Sequence, residues 1–373
     1  MRPMQITEIR VHHHEIVVAA GEYQMSTSTV RSLASTVVEI RTDEGVTGFG
    51  ETTPLGPTYQ DEQHARGARA AIDLLAPALL GVDPRRSGHL HAAMDAALGG
   101  HRYAKAALDV AAWDCTAKAY GERVCDLLGG AGREQVPSYF GVMPDAPSAT
   151  AATAAAKEAD GYRRIQVKAG GRPLATDIET VHAVADALSP TTRLLVDPNR
   201  GWTMRDTLEF SGACRSLRLA IEQPCRTYDE HRRIADKLHH PLFLDESTVD
   251  VSTVTAAIAD GVAQGFGMKL SRIGGLTPLR LVRDLCAEHG VPLTIDDTWG
   301  GDLTAAATAH LGATVPDPVM EGTWISQPYQ EPAYPCRTPT IAPVGGSIPL
   351  PTGPGLGVEP DLDAWGEPAS VHR

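Results

Sequence analysis

Seven ionisable side chains end short apolar runs through the middle of this 373-residue chain: Lys168, Asp197, Glu222, Asp245, Lys269, Asp296 or Asp297, and Glu321. They recur at intervals of roughly 23 to 29 residues, about what one strand, one helix and two short loops consume in a parallel (β/α)8 barrel. Side chains at the carboxyl ends of such strands point into one mouth, so the order of types describes a site. Asp197, Glu222 and Asp245 fall on three successive strand ends. Three converging carboxylates repel one another unless a cation sits between them, and hard oxygen ligands suit Mg2+ best, with Mn2+ a substitute. Glu246 could ligate in place of its neighbour Asp245. Asp296 and Asp297 are adjacent, so strand alternation lets only one of them face the mouth.

Lys168 precedes the acidic triplet by one strand and Lys269 follows it by one. In a closed barrel their ammonium groups flank the metal from opposite sides. Mutual repulsion, the metal's charge and partial desolvation all disfavour the charged form, so both lysines are expected to titrate near neutral pH and to serve as bases. Such parts suit abstraction of a proton beside a carboxylate, because the resulting enediolate needs a strong positive field. If one lysine removes the α-proton and the other returns it to the opposite face, the product is the epimer. A leaving group on the β-carbon turns the same intermediate into a dehydration.

These residues need a scaffold, and the chain is long enough for a barrel of about 250 residues plus a second module. Residues 1–130 read as an α+β capping domain with lid loops, with strands over 6–17, 35–40 and 45–50 and helices over 60–79 and 104–120. From 131 to 326 the rhythm is strand then helix. Strands are expected at 136–142, 164–167, 193–196, 219–221, 242–244, 267–268, 293–295 and 319–320, eight in all, which favours a closed parallel sheet. The clearest helix is 277–289, with Thr277 as N-cap, Pro278 at the first helical position and Gly290 as terminator. Residues 327–373, rich in proline and glycine, are expected to fold back over the capping domain. The fold class is thus α/β, a modified (β/α)8 TIM barrel with an N-terminal α+β cap.

A formal charge of -13, without any lysine- or arginine-rich stripe, argues against nucleic acid. No apolar run reaches the 18 or so residues of a membrane span and the start does not look like a signal peptide, so a cytoplasmic protein is expected. Six cysteines without CxxC spacing read as free thiols of a reducing compartment. Consecutive His12, His13 and His14 alternate faces and cannot converge on a metal; an exposed strand is expected there. Gly274-Gly275 could offer a phosphate site, but close backbone packing is the simpler reading.

The segments Ala107-Leu108-Asp109-Val110-Ala111-Ala112-Trp113-Asp114, Leu127-Leu128-Gly129-Gly130 and Asp197-Pro198-Asn199-Arg200-Gly201-Trp202 make the chain resemble the enolase superfamily, specifically its muconate-lactonizing-enzyme-like branch. The resemblance spans nearly the whole chain. It implies a capping domain on a modified TIM barrel, with Mg2+ held by Asp197, Glu222 and Asp245 in preference to Glu246. A lysine or histidine base working with magnesium is a general property of that superfamily. Many relatives carry Lys-x-Lys on the second strand, whereas this chain has Gln166-Val167-Lys168, a pocket kinder to a positively charged substrate. The histidine base of the mandelate-racemase branch is replaced by Lys269, and the Asp-x-Asp of a dipeptide epimerase is absent.

Trp324 beyond the last strand, Trp299 beyond the seventh and Tyr59 on the lid loop are expected to face one pocket. Aromatic faces suit a secondary or quaternary ammonium, at about 0.5 to 2 kcal/mol per contact. With Gln166, Asp296 and Asp297 they make the chain similar to the subgroup that epimerises 4-hydroxyproline betaine or dehydrates cis-3-hydroxy-L-proline. The expected partner is therefore a small carboxylate with a cyclic ammonium, and barrels with caps often assemble as homo-oligomers. Two alternatives stand beside this reading. One is cycloisomerase chemistry of the muconate type, or another acid-sugar or amino-acid member; the other is a barrel that only binds its ligand.

Overall fold

A computed structural model describes residues 3–19, 21–24, 29–56, 64–331 and 334–373. The first module holds strands β1 (Ile6–Val17), β2 (Tyr23–Gln24), β3 (Thr29–Val30), β4 (Ser32–Thr42) and β5 (Thr47–Thr52), then helices α1 (Ala65–Leu79), α2 (Ser87–Ala97), α3 (Arg102–Tyr120) and α4 (Val124–Leu127). A short β6 (Gln135–Pro137) precedes the repeating part, which runs β7 (Phe140–Val142), α5 (Pro147–Ala159), β8 (Arg164–Lys168), α6 (Leu174–Ala187), β9 (Arg193–Asp197), α7 (Met204–Ala213), β10 (Leu219–Glu222), α8 (Tyr228–Ile234), β11 (Leu242–Leu244) and α9 (Val251–Ala259). It continues with β12 (Gly265–Lys269), α10 (Leu270–Ile273), α11 (Leu276–His289), β13 (Leu293–Asp296), α12 (Asp302–Gly312) and β14 (Met320–Gly322). The chain ends with β15 (Ser347–Pro349), α13 (Leu362–Trp365) and β16 (Ser370–His372).

Strands β7 to β14 form one eight-stranded sheet in sequence order. Its register is parallel throughout. The seam closes through a parallel bridge between Ser138 and Thr323, where the Thr323 N–H donates to the Pro137 carbonyl at 2.8 Å and Ser138 Oγ donates to the Thr323 carbonyl at 2.9 Å. α-Helices cross between successive strands; among the described residues β14 is followed by a 3-10 turn over Gln327–Tyr329 and by no α-helix before α13. Both faces of the strands are covered, which is why they read as apolar runs and not as alternating ones. Several crossover helices start at reciprocal caps, Thr203 with Asp206, Thr227 with Glu230 and Asp250 with Thr253.

The single stretch expected at 136–142 is two strands. β6 pairs antiparallel with β15, and only β7 joins the barrel. The break follows from Pro137, which has no N–H to give a continuing ladder. The helix expected to be capped by Thr277 starts instead after Gly275. Thr277 gives its N–H (3.0 Å) and its hydroxyl (2.6 Å) to Asp109 of α3, so a carboxylate from the cap does the work assigned to Thr277. A Cβ on Gly275 would lie 2.4 Å from Asp109 Oδ2, which bears out close packing at the glycine pair. His12 is buried against Glu39 at 3.2 Å, not exposed, because α13 packs on that face of the sheet, the Trp365 ring lying 6.0 Å from that of His12.

Buried acids of the cap lock the two modules together. Glu51 on β5 accepts from the N–H groups of Gly301 (2.9 and 3.0 Å) and Thr304 (3.2 Å) and from the Thr304 hydroxyl (2.9 Å), at the start of α12. A carboxylate there satisfies orphan donors and meets the positive end of the helix dipole. Asp114 of α3 accepts from the N–H groups of Phe49 and Leu356, both at 2.8 Å. Helix α3 can lie so close to β5 because a Cβ on Gly50 would fall 2.0 Å from the Ala107 carbonyl. Among the described residues no helix is long and apolar enough to cross a membrane, and all six cysteines are free.

Replacing Glu51 by Leu should destabilise the fold by about 3 kcal/mol in a denaturant titration, since it strands several buried donors at once. A loss below about 1 kcal/mol would contradict this anchoring role. A second expectation concerns His231, whose buried Nε2 accepts the Cys225 N–H at 3.1 Å and whose pKa burial holds down at about 4. The unfolded value is near 6.5, so this contribution is complete above that pH and drains away as pH falls toward 4. The stability gap between wild type and His231→Gln should therefore shrink by about 3 kcal/mol from pH 7 to pH 4.

Candidate active site

Period two along each barrel strand selects what enters the mouth. On β8 this puts Arg164, Gln166 and Lys168 on one interior face, all buried. Lys168 stands on β8 and Lys269 on β12, four strands apart in a ring of eight, hence on opposite walls. Between them β9, β10 and the end of β11 bring Asp197, Glu222 and Asp245, each almost fully buried. The loops that follow are unusual: Asn199, Arg200 and Gln223 all take positive φ, at 44°, 66° and 36°. Gln223 is held there by its side chain, whose Oε1 accepts from the N–H groups of Asp245 (2.9 Å) and Ser247 (3.2 Å). Such backbone outliers persist only where their surroundings fix them.

A cavity of about 430 Å³ opens at this end of the barrel. Of the residues expected at the site, Gln166, Lys168, Asp245, Lys269, Asp297 and Trp324 line it. Asp197 and Glu222 stand behind lining residues that bond them, Asp197 through Lys168 and Asn199, Glu222 through Gln166. Tyr59 lies outside the described residues. Glu321 does not belong here: it pairs with Arg193 and, at 3.7 Å, with Arg164, which begin β9 and β8, so it sits at the opposite end of the barrel. The sequence interval misplaced it: Met320 pairs with Leu293 and Gly322 with Thr294, so Glu321 lies level with the start of β13 and not with its carboxyl end.

The adjacent aspartates both reach the site, contrary to the alternation rule. Strand β13 ends at Asp296, whose Oδ2 meets Lys269 Nζ at 3.2 Å and the Tyr139 hydroxyl at 2.9 Å, while its Oδ1 accepts the Trp324 N–H at 2.7 Å. The chain leaves the strand there, so alternation no longer governs Asp297, which faces the cavity while accepting from Ser271 and Thr298. Burial pushes the Asp297 carboxyl up to about 6.

The two lysines sit directly on carboxylates: Lys168 Nζ is 2.5 Å from Asp197 Oδ2, and Lys269 Nζ is 3.2 Å from both Asp245 and Asp296. Burial pulls both ammonium groups down, but these acids outweigh it and hold both above their ordinary value. Near-neutral lysines were expected with a metal between them; in this metal-free arrangement contact with the acids decides the sign. Burial alone would raise Asp245, yet Lys269 and Arg272 hold its carboxyl far down. Glu222 is pushed well up, first by burial and then by Asp197 and Asp245. Burial together with the same two acids raises Glu246 to about 8, leaving Asp245 as the charged member of that neighbouring pair.

Among the described residues no group of three or more histidine, cysteine, aspartate or glutamate side chains is gathered tightly enough to hold a metal ion, the lysines and Arg272 occupying two of the three acids. The donor set nevertheless fits a divalent cation. Glu222 Oε1 is buried without a hydrogen-bond partner, and a Cβ on Gly267 would fall 2.7 Å from it, so β12 leaves room in front of that oxygen. Hard carboxylate oxygens that raise one another's proton affinity are what Mg2+ neutralises.

The aromatic wall is more extensive than the sequence suggested. Trp324 meets Trp299 at 5.5 Å and stacks on Tyr329 at 5.7 Å, while Tyr23, from the cap, meets Trp299 at 5.3 Å. Tyr23, Tyr139, Asn199, Arg272 and Thr298 were missed. Asn199 stood in the Asp-Pro-Asn motif and Arg272 three residues past Lys269, so both had a local signal; Tyr23 and Tyr139 had none.

Comparison with known proteins agrees with this geometry. Residues 149–364 match the family model "Enolase C-terminal domain-like", and residues 6–129 match "Mandelate racemase / muconate lactonizing enzyme, N-terminal domain". The chain is 39% identical to a cis-3-hydroxy-L-proline dehydratase of Roseibium aggregatum over 99% of its own length and 100% of the relative's. It is 32% identical to an N-succinylamino acid racemase of Amycolatopsis over 84% of each. A crystal structure of an enolase-superfamily member from Roseovarius nubinhibens ISM complexed with magnesium superposes with a TM-score of 0.92 at 35% identity, covering 99% of both chains.

Gln166 Nε2 donates to Glu222 Oε2 at 2.8 Å, which aims the carboxyl so that Oε1 stays open. Replacing Gln166 by Leu should weaken Mn2+ or Mg2+ binding by about 10- to 100-fold in calorimetry, the usual cost of removing a hydrogen bond that orients a ligand. Unchanged affinity would show that Glu222 needs no such hold.

Proposed function

Since the chain belongs to the enolase superfamily, within its mandelate racemase/muconate lactonizing group, we propose that it abstracts the α-proton of a cyclic amino-acid carboxylate and either returns it to the opposite face or expels a β-hydroxyl. The observation that carries the reading is the pair of buried lysines on opposite walls of one cavity, with three carboxylates between them and an aromatic wall beyond. Asp197, Glu222 and Asp245 would hold Mg2+, or Mn2+ in its place. Bound there, the cation would supply the positive field that an enediolate requires.

The chain's own residues account for the rest. Lys168 and Lys269 approach the α-carbon from opposite faces, so each is acid when the other is base, and the outcome is racemisation or epimerisation. In a 3-hydroxyproline whose hydroxyl is cis to the carboxylate, that hydroxyl and the α-hydrogen lie on opposite ring faces, so the lysine that is not the base can protonate the leaving group. Asp296 orients Lys269 and, through the Trp324 N–H, also fixes the start of the aromatic wall. Trp324, Trp299 and Tyr23 suit a secondary or quaternary ammonium. Proline betaine, hydroxyproline betaine and cis-3-hydroxy-L-proline are the substrates this wall favours, and the dehydratase relative supports the last of them. A cationic group for a second carboxylate is not needed by these substrates, and Gln166 stands where one would serve a muconate-type cycloisomerase.

Incubation in D2O gives the test. Wild type with Mg2+ should exchange the α-proton of L-proline betaine or convert cis-3-hydroxy-L-proline, followed by NMR. Lys168→Ala and Lys269→Ala should each lower kcat by at least about 1000-fold while leaving the fold intact by circular dichroism. Exchange that survives in the double variant would sink the two-base mechanism.

A further inference from the structure

The two lysines are not held alike. Lys168 is paired with Asp197, which is itself among the proposed metal ligands. Lys269 Nζ lies 3.2 Å from each of two carboxylates, Asp245 and Asp296, and Asp296 stands outside that ligand set. Asp296 is fully buried, and fixed donors take up both of its oxygens: the Tyr139 hydroxyl at 2.9 Å and the Thr294 hydroxyl at 2.5 Å on Oδ2, and the Trp324 N–H at 2.7 Å on Oδ1. Tyr139 is firmly placed in turn. It is buried at the cavity wall with Arg164 over its ring, 4.2 Å from the guanidinium carbon to the ring centre, an attraction that fixes the ring plane. Burial and Asp296 hold its hydroxyl far above the ordinary value, so it stays protonated and donates to the carboxylate.

A carboxylate oxygen accepts along only a few lone-pair directions. With two hydroxyls already on Oδ2, Lys269 is left a narrow approach to that oxygen, and its amine keeps its place at the cavity wall. Without them the amine would swing onto the acid. We propose that Tyr139 and Thr294 are positioning residues for Lys269 alone, aiming its amine into the cavity through Asp296. Both hydroxyls are spent on Asp296, whereas Lys168 is held through Asp197 and Asn199 on the opposite wall. The two faces of the α-carbon are thus served by separately supported bases. This inference rests on the proposed two-base function and adds the groups that set one base apart from the other.

The experiment follows loss of the α-hydrogen from the D and L forms of proline betaine and of proline by NMR, in D2O with Mg2+, in wild type, Tyr139→Phe and Thr294→Val. Each substitution keeps the side chain's shape and removes one donor. The antipode whose exchange suffers more in Lys269→Ala is the one that faces Lys269. In Tyr139→Phe and in Thr294→Val, kcat for that antipode should fall by about tenfold or more relative to the other, the scale of a misaimed catalytic group. Mn2+ affinity in calorimetry should stay within about threefold of wild type, against the 10- to 100-fold loss expected of a residue that orients a ligand. A fall shared equally by the two antipodes, or no fall, overturns the assignment, because a merely structural loss has no preferred face. A ligand-sized loss of Mn2+ affinity overturns it too, and so does a wild type that exchanges one antipode only or neither. Wild type that also fails to dehydrate cis-3-hydroxy-L-proline defeats the proposed function itself, which separates the two failures.

Discussion

The site depends on burying many opposite charges together without letting them cancel into inert pairs. Each carboxylate taken out of water needs a compensating cation, and each lysine needs an anion. Asp197 takes Lys168, Asp245 takes Lys269 and Arg272, and Glu222 takes, among the described residues, a neutral amide and a guanidinium at 4.0 Å. Glu222 is left with the rising proton affinity and the unpartnered oxygen. A divalent ion would meet that imbalance and would compete with both lysines for the other two acids. Metal occupancy and lysine basicity are therefore linked through shared carboxylates, not through distance alone.

Keeping such a cluster aligned calls for rigid support, and the chain provides it from outside the barrel. Glu51, Asp109 and Asp114 of the cap spend their carboxylates on backbone donors of α12, α11 and the returning C-terminal segment. Each replaces a helix cap or a loop contact that the barrel sequence does not supply for itself. The same cap delivers Tyr23 to the cavity, so the interface that holds the two modules together also completes the cavity wall.

Much of this was legible in the sequence because it follows from period and spacing. The eight strands, the acids on three successive ends and the lysines bracketing them are consequences of a parallel barrel's repeat, and alternation placed Gln166 and Lys168 on one face. Reading stopped where alternation stopped. Asp297 faces the cavity because the strand has ended, Glu321 sits at the far end of the barrel because the β13–β14 register sets it beside the start of β13, and Thr277 yields its capping role to Asp109 from a distant helix. Tyr23 and Tyr139 arrive by tertiary contact, which no local pattern announces.

Reaction class and substrate class are consequently written in different residues. On the proposed reading, the charged set around Glu222 would hold the metal and move the proton, so altering a member of it would change one or both. The uncharged side chains Tyr23, Gln166, Trp299 and Trp324 face the same cavity, and Gln166 belongs to both sets, bonding Glu222 with one end of its amide and facing the cavity with the other. A lysine at that position would add a cation beside Glu222 and remove a neutral amide from the cavity wall in a single step. Residue 166 is thus where a change of substrate and a change of electrostatics cannot be separated, and a barrel of this kind can move between amino-acid and diacid chemistry by one substitution there only if Glu222 tolerates the added charge.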